Sequence, residues 1–597
     1  MTEALRSIGV ILRIVWRADK PRTILSFILF AVNGLWLVFN ALWLKIIVDA
    51  AVESDMSKAL WAVAGLMITS VLGMVANWTG VVVLQRLRER VGWLIDKQLI
   101  DLSSGIPHLE HHERPDYLKE MDLLRREKGN LSGVVQTLVV NFQTLLQGLA
   151  VGGLLAYLHR ALLLLPLFAV PSLVIGSRVE AIRQRTREET VEMWRGADHL
   201  FELSTTAGPA KELRIFGLQE EIPDRHRQIW RSLDRIHQRA SIKGAALAGG
   251  GWLIFAIGYI GAIVFVVLRA VSEEATPGDV ILAVQLTGQI NQQVSSAVSG
   301  VSNFIRDLRT VRRYQWLLNY AGEIGERIRI ADPAPIPARI EKGVELKDLS
   351  FVYPGTETQV LSNVSLVLPA GSTVAIVGEN GAGKTTLVKL LCRFYEPTSG
   401  AIEVDGIDLR RLPIEEWRRR ISTGFQDFVR FELLARQTVG VGDLIRIDDA
   451  PSVEAALDRA GSGDVLTSLP SGLETQLGKT FEGGAELSGG QWQKLALGRA
   501  MMRTEPLLLI LDEPTASLDA ETEHALFEGY TAAAEASAEK SGAITILVSH
   551  RFSTVRMADL IVVIDGGRVV EYGRHQQLIQ DQGLYADLYE LQARRYR

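Results

Sequence analysis

The chain has 597 residues, with 64 basic against 69 acidic side chains and a formal charge of −5 at pH 7, a balance that excludes the strongly basic face a nucleic-acid partner requires. Hydrophobic residues make up 47% and charged residues 22%, which excludes a disordered chain. A single cysteine excludes an internal disulfide framework and a four-cysteine zinc site. These averages hide a split: long uncharged runs precede about residue 320, and the sequence after about residue 340 reads as a soluble α/β domain.

The first 22 residues place Leu5, Ile8, Leu12 and Val15 on one helical face and Arg6, Arg13, Arg17 and Lys20 elsewhere, as in a helix that lies on the inner leaflet or leads into the membrane. No cleavable signal peptide is expected, because no short apolar core precedes a small-residue cleavage site. Six stretches then lack Asp, Glu, Lys and Arg: Thr23–Leu44, Ala59–Gln85, Gly129–Leu158, Ala161–Ser177, Gly244–Leu268 and Val280–Ile305. About 20 helical residues cross a bilayer core of about 30 Å, so the runs predict six transmembrane helices. The fourth is the shortest and holds Pro166 and Pro171, which a span tolerates when neighbouring helices satisfy the freed backbone groups.

Flanking charge sets the orientation. Arg13, Arg17, Lys20 and Arg22 precede the first run, Arg86, Arg88 and Arg90 follow the second, Arg178, Arg183, Arg185 and Arg187 follow the fourth, and Arg306, Arg309, Arg312 and Arg313 follow the sixth. The alternate loops are acidic or very short, so both chain ends are expected in the cytoplasm. The two inner segments, about 86–128 and 178–243, are long and nearly free of turn residues, which predicts helices continuing out of the membrane, with tips near Pro107–Leu124 and Gly208–Leu218. On the sixth run Gln285, Gln289, Gln292, Ser296, Ser299 and Asn303 recur every three or four residues and share one helical stripe. Unpaired amides facing lipid are costly, so the stripe faces another helix or the polar wall of a translocation cavity, which Asn33 and Asn40 on the first run could join. Lys45, at the outer end of the first run, can snorkel to the interface.

Asp332–Pro337 carries three prolines and reads as a linker, giving domains of 1–325 (membrane), 326–342 (linker) and 343–597 (soluble). After a strand-like Val344–Val352 comes an apolar strand, Ser372–Val377, and then Gly378, Glu379, Asn380, Gly381, Ala382, Gly383, Lys384 and Thr385, with Thr386 opening a helix. Every fixed position of the phosphate-binding loop is filled: glycines let backbone N–H groups close round phosphate oxygens, Lys384 reaches the β- and γ-phosphates, and Thr385 holds Mg²⁺. A buried strand, Leu507–Leu511, ends in Asp512, placed to support Mg²⁺, and Glu513, placed to deprotonate an attacking water. Leu487, Ser488, Gly489, Gly490 and Gln491 open a further helix, whose N–H groups and dipole suit an anion.

These three motifs together resemble the ATP-binding cassette (ABC) family, and the order of membrane domain then cassette resembles an exporter half-transporter. The resemblance implies a six-helix membrane domain of exporter type plus an α/β P-loop cassette, in a multi-pass protein of the bacterial cell membrane that hydrolyses ATP with Mg²⁺. It further implies that Tyr353 stacks on adenine, Gln426 senses Mg²⁺ and water, Asp519 lies in the dimer-crossing loop with Ser517 and Leu518, and His550 contacts the γ-phosphate. The signature Ser488, Gly489, Gly490 and Gln491 would serve the phosphate held by a second copy, or by a similar half-transporter, so that ATP joins two cassettes and hydrolysis parts them. Phe425–Leu433 and Ile106–His112 are similar to bacterial exporters of ribosomally made peptides such as lanthipeptides, so the cargo is expected to be a peptide or another amphipathic molecule, with a multidrug or lipid exporter, a channel or an importer as alternatives. The lone Cys392 follows the phosphate loop and reads as a core residue, so no fused cysteine protease is expected.

Overall fold

The computed structural model describes residue 9 and residues 12–513, 531–532, 534–549 and 551–595. The chain divides into two units: residues up to Leu102 with Asp122–Asn319, and Ser103–Met121 with Tyr320 onward.

The first unit is helical. Its long helices are α1 (Lys20–Val52), α2 (Met56–Gly105), α4 (Pro115–Leu158), α5 (Leu165–Thr205), α7 (Glu221–Val271) and α8 (Pro277–Ile328), with the short α6 (Ala210–Ile215) at one tip; the short α3 (Glu110–Glu113), at the other tip, belongs to the second unit. Helix α1 starts where Asp19 caps it, accepting from the Arg22 backbone N–H at 3.0 Å, with Pro21 in the first turn. The Arg90 guanidinium donates to the same carboxylate at 2.6 Å. The 50 residues of α2 rise about 75 Å, more than twice a bilayer core, so the charged inner segments are continuous helix outside the apolar zone.

Among the described residues, five helices are long and apolar enough to span a membrane: α1, α2, Leu131–Leu158, Arg160–Thr205 and Glu221–Val271. Helix α8 has the length, with 52 residues, but its amide and hydroxyl stripe dilutes the apolar run below that standard.

Helices α5 and α7 pack through small residues. Gly244, Gly251 and Gly258, each seven residues from the next, meet Val179, Ile175 with Ser172, and Phe168. The Ser172 hydroxyl also donates to the Gly251 carbonyl at 3.0 Å. On α1, Asn33 donates to the Asn77 amide oxygen at 2.9 Å, and Asn40 bonds Ser70 and Thr69, so both amides meet α2. Lys45 does not reach outward alone. Its ammonium lies 2.6 Å from Asp279 and 3.3 Å from Asp49, and the Gly278 N–H donates to Asp49 at 2.8 Å, which ties the end of α1 to the first turn of α8.

In the second unit, β1 (Gly343–Val352), β2 (Gln359–Pro369), β4 (Ser399–Val404) and β5 (Ile407–Asp408) form an antiparallel sheet in the order β2-β1-β4-β5. The second sheet has the order β10-β9-β3-β8-β7-β6, from β3 (Thr373–Val377), β6 (Ile421–Gly424), β7 (Leu508–Asp512), β8 (Ile544–Val548), β9 (Leu560–Asp565) and β10 (Arg568–Gly573). The five strands β9, β3, β8, β7 and β6 are parallel and β10 is antiparallel at the edge. The apolar runs of β7 and β8 are buried at every residue, as a parallel strand covered on both faces requires. Cys392 is buried, and burial pushes its thiol up to about 12, so it acts as a core residue.

The tip segment Ser103–Met121 belongs to this unit. The Leu109 N–H donates to the Phe394 carbonyl at 3.0 Å, and Arg327 donates to Glu110 at 2.7 Å. His111 is buried edge-on against Tyr117, and burial, with His112 beside it, lowers it to about 4, so it packs as a neutral ring.

Candidate functional site

The loop between β3 and α9 (Lys384–Leu391) floors a cleft of about 980 Å³. Gly378 and Gly383 have φ of +152° and +106°. A Cβ on the first would lie 2.1 Å from the Ile564 carbonyl oxygen and one on the second 2.7 Å from Leu361, so the loop closes only with glycine at both positions. Glu379, Asn380, Gly381, Lys384, Thr385 and Thr386 also line the cleft, and Ala382 is buried beneath it. The Lys384 ammonium donates to the carbonyls of Gly378 (2.9 Å) and Glu379 (2.8 Å). Burial holds its pKa below the usual lysine value, against the pull of Glu513 and Asp512.

Strand β7 delivers the carboxylates. The Thr385 hydroxyl donates to Asp512 at 3.2 Å, and the Gln426 amide donates to Glu513 at 2.8 Å. Burial raises Asp512 to about 6, and the nearby Glu513 charge adds to the rise. Glu513 sits at φ +47°, a left-handed conformation that a non-glycine residue rarely adopts. The fold thus brings the phosphate loop, Glu513 and Gln426 to one cleft, with Asp512 buried behind Thr385. Tyr353 does not line the cleft itself, but its hydroxyl lies 3.0 Å from that of Thr386, which does.

Ser488 stands elsewhere on the surface. It caps α10 (Gly489–Ala500), accepting from the Gln491 N–H at 3.2 Å while the Gln491 side chain accepts from the Ser488 N–H at 2.9 Å. Ser488 and Gly489 are exposed, Gly490 and Gln491 are partly so, and none of the four lines the cleft. Asp519 and His550 lie outside the described residues, as do Ser517 and Leu518. The sequence pattern did not point to Ser549, or to Leu588 and Leu591 of α11 (Leu584–Arg595), which also line the cleft.

The polar stripe on α8 is largely uncovered within the chain. Gln285, Gln292, Ser299 and Asn303 are exposed, and Gln289 and Ser296 are half-buried.

Residues 361–516 match the family model described as ABC transporter. The chain is 30% identical to an ATP-dependent lipid A-core flippase of Bordetella avium, over 93% of this chain and 91% of that one. It is 28% identical to the subtilin transport ATP-binding protein SpaT of Bacillus subtilis, over 84% of this chain and 80% of that one. In fold it is similar to a bacterial Atm1-family ABC exporter solved with ATP bound, with a TM-score of 0.76 at 23% identity, covering 96% of this chain and 98% of the other.

Proposed function

The chain belongs to the ABC transporters, as an exporter with its membrane domain and translocating ATPase fused, and from that premise we propose that it exports an amphiphilic, lipid-like molecule as a homodimer. The observation that carries the cargo reading is the stripe on α8. Exposed amides at bilayer depth are costly against hydrocarbon, and beside apolar helix faces they give a cavity wall suited to a molecule with a polar head and an apolar tail. Relatives named as lipid A-core flippases support this reading over the peptide expected from the lid-loop sequence. The subtilin transporter keeps a peptide as the second reading.

In this reading ATP lies over the phosphate loop with its base toward Tyr353, the aromatic ring tied to the phosphate-loop helix through Thr386. Lys384 exchanges two carbonyls for phosphate oxygens. Thr385 and Asp512 offer hard oxygen ligands close together, with the Gln426 amide nearby, a donor set that fits Mg²⁺; such an ion would offset phosphate charge. Glu513 accepts the proton of the attacking water, and Gln426 holds that carboxylate in place. The exposed Ser488 and the start of α10 in one copy complete the site of the other, with the dimer-crossing Asp519 and the γ-phosphate contact of His550 as further parts of it.

The test is reconstitution in sealed vesicles, following ATP-dependent transbilayer movement of a fluorescent phosphorylated glycolipid and of a lanthipeptide-type peptide. Movement and ATPase stimulation by the lipid, lost in Gln289→Leu/Gln292→Leu, are expected. Stimulation by the peptide alone would replace the lipid reading.

A further inference from the structure

The cassette has a second crevice, of about 220 Å³, that shares no lining residue with the phosphate-loop cleft. It lies beside β6, the edge strand of the larger sheet. Three half-buried guanidiniums line it: Arg418 of the short helix Ile414–Arg419, Arg499 of α10, and Arg503 just beyond α10. Each donates to backbone carbonyls. Arg418 reaches Cys392 (3.2 Å) and Arg393 (2.6 Å), Arg499 reaches Thr438 (3.0 Å) and Val429 (3.3 Å), and Arg503 reaches Arg418 and Ile421. Among the described residues none of the three forms an ion pair with a carboxylate. Burial lowers the pKa of all three, to about 10 for Arg499; Glu415 and Glu396 pull Arg418 the other way, and Asp443 does so for Arg503.

A carbonyl is a dipole and not a counter-charge, so three positive charges share this crevice uncompensated, an arrangement that an anion would relieve. A guanidinium carries five N–H donors, so each of the three has donors left over for a ligand. A second observation is independent of charge. Ser422 of β6 is 4% exposed and lines the same crevice, and its hydroxyl has no hydrogen-bond partner. A buried hydroxyl left unpaired is costly, and an acceptor oxygen in the crevice would satisfy it. We propose that the crevice is a binding site for a small oxyanion of the inorganic phosphate class, held by Arg418, Arg499, Arg503 and the Ser422 hydroxyl. Planar guanidiniums match the paired oxygens of such an anion, and the hydroxyl donates to a further one. The volume, against about 980 Å³ for the phosphate-loop cleft, suits a free anion and not a nucleotide. The site does not depend on the ATP-binding reading of that cleft.

The test is equilibrium binding of radiolabelled inorganic phosphate to the nucleotide-free full chain in lipid nanodiscs, at constant ionic strength set with chloride. It is done in the Lys384→Ala background, so that the phosphate loop does not contribute. Saturable binding of one phosphate per chain is expected. Ser422→Ala should weaken it about fivefold and Arg418→Gln at least about tenfold. Thermal unfolding separates a ligand site from a structural role. Without phosphate Ser422→Ala should unfold at a slightly higher temperature than its parent, because an unpaired buried hydroxyl is gone, and it should gain less from added phosphate. Absence of saturable binding in the Lys384→Ala background would overturn the proposal and leave the ATP reading standing. Equal affinity in the parent and both variants, or a Ser422→Ala variant destabilised to the same extent with and without phosphate, would also overturn it.

Discussion

Asp512 and Glu513 are adjacent but differently housed. Asp512 is 2% exposed, with its carboxyl raised to about 6, whereas Glu513 faces the cleft beside Gln426. Below about pH 4 Asp512 is protonated in both the folded and the unfolded chain. As pH rises through 6 the folded chain has to carry a buried charge, so this site favours the fold at low pH and that contribution is lost as pH rises. Asp512→Asn should therefore raise the stability of the nucleotide-free protein at pH 8 by on the order of 1 kcal/mol and change little at pH 4, read by thermal unfolding at both pH values. The same variant should lose Mg²⁺-dependent ATPase activity. Glu513→Gln should lower steady-state ATP hydrolysis by about 10²–10⁴-fold while ATP binding persists. Unimpaired turnover in that variant would remove Glu513 from its role.

Helices α5 and α7 are held by close approach. A Cβ on Gly258 would lie 2.5 Å from Phe168, whereas one on Gly250 would meet nothing within 4 Å. Gly258→Leu should destabilise the protein by about 1–3 kcal/mol and Gly250→Leu by much less, compared by thermal unfolding in the same detergent. This contrast also marks what the sequence could reveal. The spans were readable from their uncharged runs, and the phosphate loop, Asp512 and Glu513 from local motifs, because those signals are local, whereas Gln426 was reached only through the family resemblance. The glycines at 244, 251 and 258 were not, because their meaning depends on which helix lies opposite. Asn33 and Asn40 look alike in sequence whether they face a cavity or a neighbour, and the hydrogen bonds place them against α2. Glu113 and Tyr395, joined through the Tyr395 hydroxyl, are 282 residues apart, beyond any periodicity.

At the scale of the whole molecule, the proposed dimer has the exposed Ser488 of one copy completing the cleft of the other. Lys384→Ala and Ser488→Arg should each abolish ATPase activity alone. When the two variants are co-expressed, about half of the dimers are mixed and each of those keeps one intact site, so about a quarter of wild-type activity should return if sites act independently. No recovery in purified mixed dimers would count against sites shared between copies. The ionic knot of Lys45, Asp49 and Asp279 bears on how such a pair moves. Helix α8 is continuous for 52 residues, about 78 Å, and this knot grips its first turn. A rod pinned at one extremity swings about that fulcrum and does not slide along its own axis. A push on α8 therefore becomes a lateral sweep that grows with distance from the pin, and the polar stripe on its flank turns with it.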